Sequence, residues 1–125
     1  MIAKILGLAL AGGCGSLARY WLSGVVQRQV TVEFPLGTAV VNMAGCLLFG
    51  LVWAFAENHL SVSSQWRAVI FVGFFGAFTT FSSFAFETSQ LMIGSEWMWA
   101  VGNLVLQNVC GLMAVLAGLA VGRYI

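Results

Sequence analysis

The sequence predicts an all-α membrane protein of four transmembrane helices, and three observations carry that prediction. Of its 125 residues, 61% are hydrophobic and only 7% are charged, with a mean hydropathy of +0.98. A soluble domain carries about 25% charged residues, so this chain cannot clothe a water-facing surface. The charges also punctuate the chain. Residues 34–56, 68–86 and 97–122 carry none, and 5–27 carries only Arg19. A bilayer core about 30 Å thick takes roughly 20 residues of helix, so each run spans or nearly spans. Finally, Tyr20, Trp21, Trp53, Trp66, Trp97, Trp99 and Tyr124 fall near the ends of these runs, where amphipathic rings settle at headgroup depth.

The first span is expected over about 3–27. The second, over about 35–57, opens at Pro35, a residue tolerated at a helix start because its missing N–H would be unpaired there anyway. Asn58–Gln65 is the most polar stretch and reads as a loop carrying the single histidine, His59, in water. The third span covers about 66–93, Gly94-Ser95-Glu96 forms a tight turn, and the fourth span covers about 97–123. Residues 1–125 thus form one four-span domain with short loops.

Several functions are disfavoured. The formal net charge of +1 offers nothing to nucleic acid. Cys14, Cys46 and Cys110 lie apart inside apolar runs, which suits neither a disulfide framework nor a metal site. Lys4 followed by an apolar run to Cys14 has the outline of a lipoprotein signal, but the apolar character continues through Leu22, which favours a span. There is no nucleotide-binding glycine loop, no Ser/His/Asp set and no carboxylate pair, so no enzyme is expected.

Orientation is weakly specified. Lys4, Arg67 and Arg123 share one side of the membrane, with Arg28 and Arg19 towards the other. So small a bias under the positive-inside rule suits either a singly oriented protein or one inserted both ways, whose opposed copies pair antiparallel. Small residues mark packing faces: Gly7, Ala11 and Gly15 in the first span, and Gly111, Ala114, Gly118 and Gly122 in the fourth. Such faces let helix backbones approach closely in lipid.

The informative segment is Gly73–Glu87, G-F-F-G-A-F-T-T-F-S-S-F-A-F-E. Gly73 and Gly76 weaken the helix, and two threonines and two serines follow at mid-membrane depth. Every backbone group in hydrocarbon needs a partner. Hydroxyls can take over freed groups at a break, or bond back within a continuous helix; the pattern alone permits both. Phe78, Phe81 and Phe84 recur every three residues and share roughly one face. They serve either as packing or as ring edges, positive at the rim, turned towards an anion. Thr38 and Asn42 lie one turn apart in the second span with Gly45 on the same face. Asn103 and Gln107 are spaced alike in the fourth, with Asn108 beside them. Intramembrane amides serve as inter-helix glue or as a polar track. Arg19 either snorkels or draws anions into a vestibule.

Four segments in order along nearly the whole chain resemble the Fluc/CrcB family of small bacterial fluoride channels. They are G-G-C-G-S-L-A-R-Y (12–20), P-L-G-T-A-V-V-N-M-A-G (35–45), G-A-F-T-T-F-S-S-F (76–84) with Glu87, and N-L-V-L-Q-N-V-C-G (103–111). The third is the most specific. The resemblance implies an antiparallel, dual-topology homodimer in the bacterial inner membrane, with two fluoride pores lined by both subunits. The broken third helices would meet at the centre and hold one Na⁺ on backbone carbonyls, at Gly76 and Thr79. Phe81 and Phe84 match the rings whose edges face the ion. Asn42 matches the pore asparagine, Ser82 and Ser83 its neighbouring hydroxyls, Arg19 the vestibule arginine, and Glu87 an acidic residue near the pore. The polar tracks add Thr38, Asn103 and Gln107 to the pore set. Gln107 is a departure, because many family members carry serine there. The implied role is passive fluoride export: HF enters as a neutral molecule, ionises inside, and the anion leaves without an energy source.

Two other classes make different demands. A proton-coupled exporter of the small multidrug type wants a buried carboxylate early in the first span, and there is none. A non-transporting assembly subunit does not account for polar residues in three spans.

Overall fold

The computed structural model describes residues 1–31, 34–59 and 63–125. Among these, four helical segments are long and apolar enough to cross a membrane. Helix is what lipid demands, because an α-helix satisfies its backbone groups internally. Helix α1 runs Ile2–Gln27 and α2 runs Leu36–His59. The third span, Ser64–Ile93, divides into α3 (64–78) and α4 (Phe81–Ile93). Helix α5 is Trp97–Tyr124. The predicted span boundaries agree to within two residues. The expected loop after α2 includes residues 60–62, which, like the water-facing position expected for the His59 side chain and the charge at Glu33, lie outside the described residues.

The connection from α1 to α2 is tied by one side chain. The Gln27 amide donates to Phe34 O at 3.2 Å and its Oε1 accepts the Gly37 N–H at 2.9 Å. One amide thereby satisfies a carbonyl and one of the orphan N–H groups of the α2 start. The turn after α4 differs from expectation in detail. Its positive φ, 63°, falls on Ser95, while Gly94 keeps a φ of −72°. Glu96 N–H closes the turn on Leu91 O at 2.8 Å, a left-handed helix stop of the Schellman type.

The small-residue faces are used within the chain. Helices α2 and α5 pack along a reciprocal seam: Gly50 lies against Val115 O, and Gly118 against Leu47 O. Gly15 of α1 lies against Phe74 O of α3, and a methyl group on Gly73 would stand 2.9 Å from Ala11 Cβ. Gly73, expected to weaken the helix, instead admits α1. The stretch around it, Ala68–Phe75, is wound as a π-helix, as is Leu106–Cys110 within α5. Each wide turn changes which residues share a face.

Between α2 and α3 lies a ring cluster. Phe49 stands 4.9 Å from Phe71 and 5.5 Å from Phe75, and Trp53 stands 4.9 Å from Phe71. The Arg67 guanidinium lies 5.5 Å over the Trp53 ring. Trp53 is therefore half-buried packing as well as a span-end aromatic. Trp21, Trp66, Trp97 and Tyr124 are exposed on the outside of the bundle.

Gly118→Ala is expected to force the α2–α5 seam apart at a backbone oxygen and to destabilise the protein by about 1–3 kcal/mol. Gly102, on the same helix, has open space where a Cβ would go. Gly102→Ala should leave thermal unfolding in detergent unchanged or slightly raised.

A groove at a break in the third span

The helix of the third span stops at Phe78 and restarts at Phe81. Thr79 and Thr80 between them are extended, with ψ of 156° and 108°. The sequence left a continuous helix open; the backbone is broken at the two threonines, three residues past Gly76. Gly76 itself has an ordinary helical φ of −63°.

The break is held by Asn42. Its Oδ1 accepts the Thr80 N–H at 2.8 Å, and its Nδ2 donates to Thr80 O at 3.2 Å. One buried-facing amide thus replaces both helical partners of one residue. One further freed donor, the Ser83 N–H, is satisfied locally. Thr80 Oγ1 accepts the Ser83 N–H at 3.2 Å, donates to Ser83 Oγ at 3.0 Å and lies 3.3 Å from Ser82 Oγ. This makes Thr80 the N-cap of α4. Thr79 Oγ1 bonds back to Phe75 O at 2.9 Å.

These substitutions have a consequence for two carbonyls. In an unbroken helix Gly76 O accepts from Thr80 N–H, and Thr79 O from Ser83 N–H. Both donors are turned elsewhere. Ala77 O and Phe78 O lose the Phe81 and Ser82 donors in the same way, so Gly76 and Thr79 are the first and last of four carbonyls that the break leaves without helical donors.

The stripe Thr38, Asn42, Gly45 on α2 lies along the break, antiparallel to it. Thr38 Oγ1 donates to Glu87 Oε1 at 2.6 Å, Asn42 holds Thr80, and Gly45 lies against the Thr79 and Phe78 side chains. A side chain at Gly45 would push Thr79 out of place.

On one side of this stripe is an open groove of about 420 Å³, lined by Asn42, Thr79, Thr80, Phe81, Phe84 and Gln107, with Asn108 and Phe49 further along. Phe81 and Phe84 lie 5.5 Å apart, tilted by 56°. The expected common face for the three phenylalanines holds for this pair alone. The break turns Phe78 away to stack on Phe74 at 5.8 Å. Phe81 is 78% exposed and Phe84 only 6%. On the other side is a polar cavity of about 320 Å³ lined by Arg19, Ser16, Ser23, Thr38, Ser83 and Glu87. Thr80 borders both spaces. Glu87 Oε2 is buried there without a hydrogen-bond partner.

The amides of α5 meet the break from behind. Gln107 Oε1 accepts from Asn42 Nδ2 at 2.6 Å, and Gln107 Nε2 donates to Asn103 Oδ1 at 2.8 Å. Asn103, fully buried, donates to Thr88 Oγ1 at 2.9 Å, and Thr88 donates to Phe84 O at 2.7 Å. Asn103 does not line the groove. Thr80 and Thr88 were not singled out from sequence. Thr80 stands in the motif among other hydroxyls with nothing to distinguish it, and Thr88 is named only by the partner that reaches it across helices. Asn108 reaches the groove beside Gln107 because the π-turn at Leu106–Cys110 spreads neighbouring residues over one face. Its amide bonds Leu104 O at 2.7 Å.

The protein is thus a multi-pass membrane protein whose third span breaks beside a largely apolar groove, into which the Asn42 and Gln107 amides and the Thr79 and Thr80 hydroxyls project. Residues 6–119 match the family described as CrcB-like protein, Camphor Resistance (CrcB), and the chain belongs to that family. It is 48% identical to a "Fluoride-specific ion channel FluC" of Nitrosococcus oceani over 125 residues, covering both chains fully. It is likewise 48% identical to the protein of that name from Solidesulfovibrio magneticus, with both chains again covered fully. A third, from Parabacteroides distasonis, is 40% identical over 122 residues, 98% of this chain and 94% of the relative.

Asn42→Ala strips Thr80 of both backbone partners at membrane depth. Each orphaned buried group costs about 1–3 kcal/mol, so the variant should lose about 2 kcal/mol or more in detergent unfolding. Wild-type stability in that variant would mean that water or another side chain holds the break.

Proposed function

We propose that this chain forms a fluoride-selective channel that lets fluoride leave the cell passively across the cytoplasmic membrane and so lessens its toxicity. The observation that carries the reading is the groove at the break, where an amide, hydroxyls and two tilted phenyl rings converge without a fixed positive charge. A small anion must shed water and be re-solvated by N–H, O–H and ring edges, strongly enough to enter and weakly enough to leave. Neutral donors meet both conditions. The amino end of α4, positive by its dipole, starts at the same place. Arg19, in the cavity on the far side of Thr80, adds charge at a distance, as a vestibule would. The relatives, named fluoride-specific ion channels, support fluoride as the ion.

The functional unit is an antiparallel homodimer of oppositely inserted copies. Gly76 and Phe81 lie exposed on the single chain, and hydrocarbon tolerates no open backbone break. A second copy covering this face satisfies that constraint and completes two pores, with Phe81, Phe84, Asn42 and Gln107 along the groove, Ser82 beside the Thr80 cap and Ser83 in the outer cavity. The weak charge bias of the sequence allows both insertions. Thr38, Arg19 and Glu87 line the outer cavity, with Asn103 supporting from behind.

A sodium ion fits the centre of this dimer. Among the described residues no group of three His, Cys, Asp or Glu could hold a metal, but the carbonyls of Gly76 and Thr79 have lost their helical donors. Hard cations take oxygen ligands of this kind. The ion would neutralise the carboxyl end of α3 and of its mate, and its role is structural.

The test is fluoride efflux from proteoliposomes under a potassium–valinomycin clamp, with chloride as comparison. Fluoride should leave quickly and chloride not at all. Phe81→Ile with Phe84→Ile should abolish the flux while the protein remains a dimer by size exclusion. Normal flux in that double variant would remove the ring-edge role. No flux from folded wild-type protein would sink the channel reading.

A further inference from the structure

One hydrogen-bonded chain runs from the break through α2 and α5 and back to α4. Thr80 N–H bonds Asn42 Oδ1, Asn42 Nδ2 bonds Gln107 Oε1, and Gln107 Nε2 bonds Asn103 Oδ1. Asn103 Nδ2 then bonds Thr88 Oγ1, and Thr88 Oγ1–H bonds Phe84 O. The direction of this chain is fixed at both ends, because a backbone N–H can only donate and a backbone carbonyl only accepts. Every amide between them therefore has one orientation. The Asn42 NH₂ has two protons. One goes to Thr80 O and the other to Gln107 Oε1. Asn42 thus has no free proton to offer an ion in the groove.

Of those two acceptors, Thr80 O is backbone and fixed by the break. Gln107 Oε1 ends a flexible side chain that is only half-buried, rooted in the π-turn Leu106–Cys110 and itself lining the groove. It makes the shorter contact, 2.6 Å against 3.2 Å. An amide oxygen carrying partial negative charge and close to fluoride in size sits against the donor in the groove.

We propose that Gln107 acts as a displaceable stand-in for the anion: its Oε1 holds the Asn42 N–H when the site is empty, and fluoride takes the donor by swinging that oxygen aside. This rests on the fluoride-channel reading and makes Gln107 a specificity- and rate-setting residue within it. The exchange breaks one hydrogen bond and forms another, so the NH₂ is never left unpaired in a dry site. Gln107 keeps its place during the swing through Asn103, which is fully buried. A larger anion such as chloride fits the vacated space less well and gains less from the exchange. The competition also lowers the site's affinity, so that fluoride is released rather than held.

The test compares fluoride efflux from proteoliposomes of wild type, Gln107→Met and Gln107→Ala. Methionine keeps the length and removes the acceptor; alanine removes the side chain. A net hydrogen bond changes an equilibrium by roughly threefold to tenfold. Both variants should reach half-maximal flux at a fluoride concentration lower than wild type by about that factor. An unchanged or raised half-maximal concentration would overturn the proposal and make Gln107 a bystander or a direct donor to the ion. Absence of flux in wild type is a separate result, and would instead remove the channel reading itself. Where a variant does not stay dimeric, the unaltered protein decides. With ¹⁵N-asparagine labelling and the Asn42 signal assigned by its loss in Asn42→Ser, fluoride titration should shift the Asn42 side-chain amide. A signal that stays fixed up to saturating fluoride would contradict the exchange.

Discussion

A backbone N–H and C=O that leave a helix in the middle of a membrane have no water to turn to, and each one left alone costs more than most side-chain contacts contribute. At Thr80 both groups are taken by the single amide of Asn42. Much else follows from that pairing. It lets the third span stop and restart, which sets the carboxyl end of one half-helix beside the amino end of the next. It turns the Thr80 N–H from Gly76 O and so releases a carbonyl at the surface. It also points Asn42 at Gln107, linking the break to α5. An asparagine suits this position because it offers a donor pair and an acceptor on one rigid plane. A serine or an acid cannot match both Thr80 groups in that way.

The scaffold around the break is built for close approach rather than for hydrophobic drive, which lipid does not supply between helices. Gly50 and Gly118 bring α2 and α5 into backbone contact, and Gly15 does the same for α1 and α3. Gly45 admits Thr79 to the face of α2. Rigid seams of this kind keep Asn42, Gln107 and Thr80 in register to within hydrogen-bond distance. The polar residues then act less as glue between helices than as one continuous network that closes on the half-helix where it starts.

Much of this was legible in the chain. The spans read from the scarcity of charge and the aromatic residues near span ends match the helices to within two residues, and the small-residue faces of α1 and α5 are the faces that pack. The hydroxyl-rich segment 76–84 contains the break, although its pattern alone permitted a continuous helix as well, and Thr38, Asn42 and Gly45 were placed on one face, as they are. What escaped the sequence is what local pattern does not encode. Phe78, Phe81 and Phe84 look equivalent at a spacing of three, but a break between the first two sends Phe78 into packing and Phe81 to the surface. Thr80 and Thr88 owe their roles to partners 38 and 15 residues away. The π-turns shift the faces of α3 and α5 by an amount that a 3.6-residue period does not foresee, which is why Asn108 reaches the groove while Asn103 is buried behind it.

The central claim is that a path of neutral donors, organised around the Asn42–Thr80 pairing, passes a small dehydrated anion and rejects a larger one. A planar-bilayer recording with fluoride on one side and chloride on the other tests it most directly. The current should reverse near the fluoride equilibrium potential, with no measurable chloride share. A reversal potential drawn substantially towards that of chloride would contradict the account, because it would mean that the groove does not select by the size and hydrogen bonding of the ion.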